Sequence, residues 1–327
     1  MNYRTLGKTE LQISEVSFGT WAIGGSWGSV DEKTARDGLS RAIDAGVNFF
    51  DTADVYGDGR AERLLAQATK GREREIYIAT KFCRQGDIHS PETYSERQVR
   101  SYCEASLARL QRDAIDLYQV HCPPHAILQQ GEVFVVLDKL KQEGKIRHYG
   151  VSVESVAEGL TAIEYPGVEA LQVIFNLFRQ KPAQELFPQT LAKNVGVLVR
   201  LPLASGLLTG KFKPSDVFAH DDHRNFNRDG LAFNVGETFA GLPFEKGVNL
   251  AEQVRWITNQ RQTMARASMR FILDHEAVTC VIPGFKSPAQ VDDNLGTLEV
   301  PFFTAAEHAK LRAFYETQVH PFIRGSY

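Results

Sequence analysis

Short apolar runs alternate with helical patterns about eight times along this chain, and no other feature of the sequence restricts the fold as strongly. Parallel strands that are buried on both faces read as continuous apolar runs. Such runs lie at 16–18, 47–50, 76–79, 117–120, 149–151, 171–175, 197–201 and 278–282. Six of the intervals between them fit one strand–helix unit, and the last is much longer. The alternation predicts a parallel sheet, either open or closed into a barrel.

The segments between the runs carry helix signals. Residues 31–45 place apolar side chains at helical spacing and end before Gly46, a residue suited to a left-handed helix end. Ser95 followed by Gln98 is a capping-box sequence, which marks a helix start. A third apolar stripe begins at Val133 and ends before Gly144.

The glycine pattern separates the open sheet from the barrel. An open dinucleotide-binding sheet carries G-x-G-x-x-G in its first strand-to-helix turn. Residues 24–28 do not fit this pattern, and residues 57–62 have Glu62 where the third glycine belongs. We therefore predict a (β/α)8 TIM barrel over residues 1–327 as a single domain. An N-terminal hairpin caps its bottom, and a long loop, residues 212–249, precedes the last strand.

Bulk properties exclude several classes of protein. The formal net charge is −3 and the isoelectric point is about 6.3, so the chain lacks the basic character of a nucleic-acid-binding protein. No apolar run approaches the ~20 residues that span a bilayer. The N-terminus resembles no signal peptide, and the four cysteines are too scattered for a disulfide framework. We expect a cytoplasmic enzyme that acts on a small molecule.

Polar side chains follow several of the predicted strands, where a TIM barrel places its chemistry. They are Asp51 with Tyr56 after the second run, Lys81 after the third, His121 after the fourth, Ser152 after the fifth and Asn176 after the sixth.

Four of these residues suggest a tuned general acid. A free tyrosine has a pKa near 10, and an adjacent Lys81 ammonium would lower the pKa of Tyr56. Asp51 would orient Lys81, and His121 would hydrogen-bond the substrate oxygen. This set suits proton delivery to a carbonyl oxygen whose carbon receives a hydride. Alternatively, Lys81 could form a Schiff base in a barrel lyase.

Around these residues the sequence resembles the aldo-keto reductases over nearly its whole length. The motifs are residues 46–57 (GVNFFDTADVYG), 78–81 (IATK) and 116–121 (DLYQVH). The resemblance implies that Tyr56 donates the proton, that Asp51 and Lys81 tune it, and that His121 orients the carbonyl. It also implies hydride transfer from C4 of NADPH without a metal. Since the fold also occurs in channel-associated subunits, a cofactor-binding partner subunit with little turnover is a further alternative.

The same resemblance implies a set of cofactor-binding positions. Gln172 would bind the nicotinamide carboxamide, although Val153 stands where the family has Asn. Arg200 stands where an aromatic residue is usual. Residues 202–211 would clasp the pyrophosphate, and Lys286 would pair with a 2′-phosphate. The full set is Thr20, Trp21, Ser152, Gln172, Phe175, Arg200, Pro202, Leu203, Ser205, Gly206, Leu208, Lys211, Gly284, Lys286, Gln290 and Asn294.

The substrate pocket is predicted from side chains that adjoin strand ends. They are Trp21, Trp27, Val55, Phe82, Cys83, His121 and Cys122. Packing at the barrel top is the alternative role for the apolar members. The long loop 212–249 is expected to fold over the cofactor or to line the substrate mouth. A small carbonyl compound is the expected partner, with neither nucleic acid nor membrane.

Overall fold

The computed structural model describes residues 1–25 and 30–327. Its strands are β1 Tyr3–Thr5, β2 Gln12–Ser14, β3 Phe18–Gly19, β4 Phe49–Asp51, β5 Tyr77–Phe82, β6 Ile115–His121, β7 Ile146–Ser152, β8 Val168–Ile174, β9 Gly196–Arg200 and β10 Val278–Val281. Its helices are α1 Trp21–Gly24, α2 Glu32–Asp44, α3 Arg60–Ala68, α4 Glu96–Leu110, α5 His125–Gln130, α6 Glu132–Gln142, α7 Val156–Ala162, α8 Lys181–Glu185, α9 Phe187–Ala192, α10 His223–Phe226, α11 Phe244–Gln253, α12 Met264–Leu273, α13 Pro288–Leu295 and α14 Ala305–Phe314.

Strands β3 to β10 form an eight-stranded parallel sheet in sequence order. The sheet curls until its ends meet, where Ser17 N donates to Val281 O (2.9 Å) and Gly19 N donates to Pro283 O (3.1 Å). Helices lie between successive strands. The predicted (β/α)8 TIM barrel is therefore confirmed, and each predicted apolar run overlaps or adjoins one of these strands.

The helix signals in the sequence act as predicted. Asp31 Oδ1 accepts from Thr34 N (3.0 Å) at the start of α2, and Gly46 beyond its end has φ +90°. Ser95 Oγ accepts from Gln98 N at the start of α4 (3.3 Å). These side chains satisfy backbone donors that the first helical turn leaves unpaired.

The N-terminal hairpin caps the bottom of the barrel, as predicted. Strands β1 and β2 pair in antiparallel fashion, and Leu6, Leu11 and Ile13 are buried against inward-facing residues of the barrel strands. Gly7 adopts φ +52° so close to the barrel that a Cβ atom would lie 2.3 Å from Gly196 N. A side chain at position 7 would therefore push the cap away from the barrel.

Residues 212–249, named here the excursion, contain more structure than the predicted loop. They include α10 and the start of α11. Phe212, Phe218, Phe239 and Phe244 pack against one another with ring centroids 4.9 to 5.8 Å apart. The long segment predicted before the last strand is therefore present, and these spaced aromatics give it an apolar cluster of its own.

A hydrophobic helix long enough to cross a bilayer does not occur in residues 1–25 or 30–327.

Candidate active site

Four predicted catalytic residues meet at the carboxyl end of the barrel. Asp51 ends β4, Lys81 lies near the end of β5 and His121 ends β6, while Tyr56 lies in the loop after β4. Lys81 Nζ lies 2.6 Å from Asp51 Oδ2 and 3.3 Å from Tyr56 Oη. The rings of Tyr56 and His121 meet edge to face, with centroids 6.0 Å apart. A phenol, an ammonium, a carboxylate and an imidazole thus converge on one mouth.

Lys81 is an ion-paired ammonium rather than a free amine. Its Nζ also donates to Thr52 O (2.8 Å), so three acceptors surround it: Asp51, Thr52 and Tyr56. Burial is the largest single influence on Lys81 and would lower its pKa, but Asp51 and Tyr56 together outweigh burial and raise the pKa. An amine that stays protonated has no lone pair for attack on a carbonyl, which disfavours the Schiff-base alternative.

Tyr56 differs from the sequence-based expectation in the direction of its pKa. Burial raises the pKa of Tyr56, the Lys81 ammonium opposes this rise, and the Asp51 and Glu237 carboxylates add to it. The predicted net lowering is therefore wrong, because the surrounding protein removes the phenol from water and Asp51 offsets the Lys81 charge. Tyr56 consequently keeps its proton throughout the neutral pH range.

His121 is a neutral imidazole. Burial lowers its pKa well below the usual value, and the nearby positive charges of Arg84, Lys81 and Arg200 lower it further. Its Nδ1 is buried and has no hydrogen-bond partner within residues 1–25 and 30–327. A neutral imidazole can donate one hydrogen bond to a substrate oxygen without competing with Tyr56 for the proton.

Asp51 is held from the barrel interior by two amides. Its Oδ1 accepts from Gln172 Nε2 at 2.6 Å and from Gln119 Nε2 at 3.3 Å. Thr20, a predicted cofactor ligand, donates from Oγ1 to the Asp51 carbonyl at 3.1 Å. These contacts fix the carboxylate that orients Lys81, and they give Gln172 and Thr20 positions beside the catalytic group.

A partly buried ionic network borders the mouth. We name its four members the rim cluster: Arg84, Glu154, Arg200 and Glu237. Arg84 Nη2 lies 2.9 Å from Glu154 Oε1 and 3.6 Å from Glu237 Oε1. Arg200 Nη1 lies 3.2 Å from Glu237 Oε1. Arg84 Nε also donates to the carbonyl of His121 (3.3 Å). The rim cluster therefore touches the backbone of a predicted catalytic residue.

The two carboxyl groups of the rim cluster differ in how readily they ionise. Burial opposes ionisation of Glu237, but the Arg200 and Arg84 guanidiniums outweigh it and lower its pKa. Burial and the charge of Glu237 raise the pKa of Glu154. Of these four residues, sequence reasoning identified Arg200 alone. Arg84, three residues after Lys81, could have been found by its place beyond a strand end.

A metal ion fits the rim cluster poorly. Cys122 Sγ and carboxylate oxygens of Glu154 and Glu237 lie within 4.8 Å of one another. However, Arg84 and Arg200 pair with the same carboxylates, and burial raises the pKa of Cys122 to about 11. The guanidiniums already supply the positive charge that a cation would bring.

The predicted pyrophosphate loop has an unusual backbone. Leu201, Ala204 and Ser205 have φ of +52°, +47° and +55°, values that side-chain-bearing residues rarely adopt, and Gly206 has φ +100°. Ser205 Oγ donates to Glu237 O (3.1 Å) and accepts from Phe239 N (3.2 Å), which ties the loop to the excursion. Strained backbone of this kind is concentrated at ligand sites, and alternation of right- and left-handed residues forms anion-binding nests.

Comparisons with known proteins identify the family to which this site belongs. A sequence model of the Aldo/keto reductase family matches residues 15–316. Aldo-keto reductase YhdN of Bacillus subtilis (strain 168) is 30% identical over 298 residues, covering 89% of this chain and 87% of that protein. The chain belongs to the aldo/keto reductase family. It is therefore an NADP-dependent oxidoreductase, and the resemblance read from its motifs is confirmed.

Solved structures of reductases agree with this assignment. Glycerol dehydrogenase AKR11B4 from Gluconobacter oxydans has a TM-score of 0.79 at 28% identity, covering 100% of this chain and 98% of that one. The holo form of aldo-keto reductase AKR11C1 from Bacillus halodurans has a TM-score of 0.77 at 27% identity, covering 96% of each chain.

The donors of this reductase fit the phosphate groups of NADP(H). The fold places Lys286 near Arg224 of the excursion. Burial lowers the pKa of Lys286, the Arg224 charge lowers it further, and Asp222 and Asp221 oppose this. Asp222 holds Arg224 in place through Nη2–Oδ2 (2.5 Å) and Nε–Oδ1 (2.9 Å). Two cations kept close to each other suit a multiply charged anion such as a 2′-phosphate.

Other predicted cofactor residues of the reductase hold its loops. Gln290 Oε1 accepts from Lys286 N (2.7 Å), and Asn294 Nδ2 donates to Gly284 O (3.3 Å). Further predicted positions, with their burial, are Ser152 and Leu208 (buried), Pro202 (buried), Leu203 (half-buried) and Lys211 (exposed).

Phe175 contradicts its predicted role against the nicotinamide. Its ring is fully buried among Phe187, Phe271 and His275, with centroids 4.8, 5.9 and 4.8 Å away. Side chains alternate between the two faces of a strand. Gln172 faces the barrel interior, so a residue three positions later points to the helices outside.

The predicted substrate residues also divide into those at the mouth and those that point outside the barrel. Phe82 follows inward-facing Lys81, and it stacks on Tyr118 outside the barrel with centroids 4.6 Å apart, so this packing contradicts a place in the pocket. The remaining members at the mouth are Trp21, whose ring lies parallel to that of Tyr56 (6.1 Å), half-buried Val55, and the buried Cys83 and Cys122. Trp27 lies outside the described residues.

The excursion reaches this mouth. His223 and Phe233 contact the ring of Trp21, with centroids 4.8 and 6.1 Å away. Asn234 Nδ2 donates to Glu154 Oε2 (3.1 Å), and Glu237 joins the rim cluster. The prediction that this segment lines the mouth is therefore supported by its contacts.

Proposed function

We propose that this reductase converts aldehydes or ketones to alcohols with NADPH, and that Tyr56 donates the proton. The observation that carries this proposal is the chain from buried Asp51 through buried Lys81 to Tyr56, with distances of 2.6 and 3.3 Å, beside a neutral His121. NADPH, when bound, supplies the hydride. The alternative of a partner subunit without turnover has no specific contact in its favour.

The residues of the chain then divide the work. His121 donates a hydrogen bond to the carbonyl oxygen and so holds it beside Tyr56 Oη. Tyr56 gives up its phenolic proton as negative charge develops on that oxygen. Lys81 stabilises the phenolate that remains, and Asp51 keeps Lys81 charged and in place. The reverse sequence oxidises an alcohol.

The mouth favours a polar substrate. Arg200 Nε is buried without a hydrogen-bond partner in the described ranges, and Glu237 Oε1 makes ion pairs but accepts no hydrogen bond there. These groups could bind hydroxyl groups next to a carbonyl. One structural neighbour is a glycerol dehydrogenase. We therefore propose hydroxyaldehydes and hydroxyketones as the substrate class.

Matched aldehydes test both the reaction and the substrate class. With NADPH oxidation followed by absorbance, we expect kcat/KM for glyceraldehyde to exceed that for propanal by at least about tenfold, because a site built for hydroxyls leaves polar groups unpaired with the analogue. Glu237→Gln should reduce this ratio. Oxidation with neither aldehyde, nor with a broader carbonyl panel, would contradict the proposed function. Equal values would contradict the substrate class alone.

Cofactor preference gives a second expectation. Lys286→Gln removes one of the two cations near the proposed 2′-phosphate site, so the Kd for NADPH should rise about 10- to 100-fold, the value of a charge-assisted hydrogen bond. NADH lacks this phosphate, and its Kd should stay the same. Fluorescence titration measures both constants, with Lys213→Gln, an exposed lysine of the excursion, as the control. An equal loss for both cofactors would count against the assignment.

A further inference from the structure

A carboxyl group that the proposed mechanism does not use lies beneath the Tyr56 loop. Asp54 is fully buried, and no side chain in residues 1–25 and 30–327 donates a hydrogen bond to either of its carboxylate oxygens. Its backbone N donates to Lys81 O at 3.2 Å, and Tyr56 follows two residues later. Asp54 is therefore built into the segment that carries the proton donor.

A second buried carboxylate on α3 faces Asp54, but it is fully bonded. Glu62 Oε1 accepts from Thr80 Oγ1 at 2.6 Å, and its Oε2 accepts from Arg109 Nε on α4 at 2.5 Å. The Arg109 guanidinium is thus paired with Glu62. Glu62 has two side-chain donors and Asp54 has none in the described ranges, which indicates that Glu62 rather than Asp54 is arranged to carry a negative charge.

The surrounding charges lead to the same conclusion. Lys81 on β5 is paired with Asp51, and Arg109 is paired with Glu62. Burial raises the pKa of Asp54 to about 7 and the charge of Glu62 adds to this, while the adjacent Val55 backbone N–H and, more weakly, Arg109 and Lys81 oppose it. Within the described residues, the other titratable groups that face Asp54 are the phenols of Tyr118 on β6 and Tyr102 on α4.

We propose that Asp54 is a positioning residue whose uncharged carboxyl group supports proton donation by Tyr56, and whose ionisation weakens it. This inference rests on the function proposed above. A new negative charge near Lys81 stabilises the ammonium and disfavours the phenolate that Tyr56 must become. Tyr56 would then release its proton less readily. Ionisation also places an unpaired charge under the loop, which the packing does not accommodate.

The test compares Asp54→Asn, which mimics the uncharged acid, with the wild type. In wild type, kcat/KM for carbonyl reduction should fall as the pH rises through about 7. The ratio of variant to wild type should therefore rise with pH, by up to about tenfold, which is the effect of one pKa unit on Tyr56. Asp58→Asn makes the same change on an exposed residue of the same loop and should leave the pH profile as it is.

Thermal unfolding is the readout that does not depend on activity. A carboxyl whose pKa is higher in the folded state than in the unfolded state costs stability as the pH rises from about 4 to about 7. The Tm of Asp54→Asn relative to wild type should therefore increase across that range, and Asp54→Ala, which leaves a cavity, should show a lower Tm than Asp54→Asn.

The outcomes separate this inference from the proposed function. An Asp54→Asn enzyme that is inactive at every pH would mean that the charged form is needed, and would overturn the inference. So would a pH profile and a Tm difference that do not change with pH. Wild type without any carbonyl reduction would overturn the proposed function and, with it, the role assigned to Asp54.

Discussion

Replacing Tyr56 with Phe should lower the rate of carbonyl reduction by about 10²- to 10⁴-fold, the usual contribution of a positioned general acid. The substitution removes the phenolic oxygen that lies 3.3 Å from Lys81 Nζ and leaves the ring beside Trp21 and His121. Since Tyr56 keeps its proton at neutral pH, the loss should be present across the neutral range. A single-turnover measurement of NADPH oxidation isolates this step.

Cofactor binding is the control for the Tyr56→Phe variant. The proposed phosphate-binding positions, Lys286 and the turn at Ser205, lie on other loops, so the Kd for NADPH should stay within about twofold of wild type, a difference of about 0.4 kcal/mol. Wild-type turnover in the variant would show that another group supplies the proton. A large rise in Kd would show that the substitution damages the cofactor site instead.

Lys81→Met should destabilise the fold as well as abolish reduction. The ammonium and the Asp51 carboxylate are 0% and 4% exposed, and removing one partner of a buried ion pair leaves an unpaired charge at a cost of about 3–5 kcal/mol. The free energy of unfolding, from urea denaturation with an unchanged m-value, measures this cost. Activity should fall because Tyr56 loses the cation that stabilises its phenolate.

A double variant provides the control. Lys81→Met combined with Asp51→Asn removes both charges, so its loss of stability should be clearly smaller than the sum of the two single losses. Additive losses would mean that the two groups do not interact as a pair. Borohydride trapping of a carbonyl substrate on wild-type Lys81, without oxidation of NADPH, would instead support the lyase alternative.

Much of the site could be predicted because it follows strand ends. Asp51, Lys81 and His121 each end or nearly end a parallel strand, so the closed sheet places them at one mouth. The errors at Phe82 and Phe175 come from the two-residue alternation along a strand, which directs their rings outward. Counting strand positions from inward-facing Lys81 and Gln172 would have excluded Phe82 and Phe175 from the site on sequence grounds alone.

The rim cluster could not be found in this way. Glu154 follows β7 and Glu237 lies in the excursion, so the two are far apart in sequence. In the sequence alone, neither can be told from an ordinary exposed glutamate in a loop. Pairing with Arg84 and Arg200 depends on how the excursion folds back over the barrel. The four clustered phenylalanines of the excursion help to set how the excursion folds back. Their spacing in the sequence is too irregular to predict that fold.

The sequence alone determined the architecture and the chemical inventory of this protein. Repeated strand–helix units can bury their apolar faces together only in a closed or layered parallel sheet, and the strand ends bring phenol, amine, carboxyl and imidazole to one edge. Tertiary structure decided which of these groups carry charge. Burial and partner distances outweigh residue type in setting a pKa, so Lys81 stays protonated, His121 stays neutral, the pKa of Tyr56 is raised rather than lowered, and that of Asp54 rises to about 7.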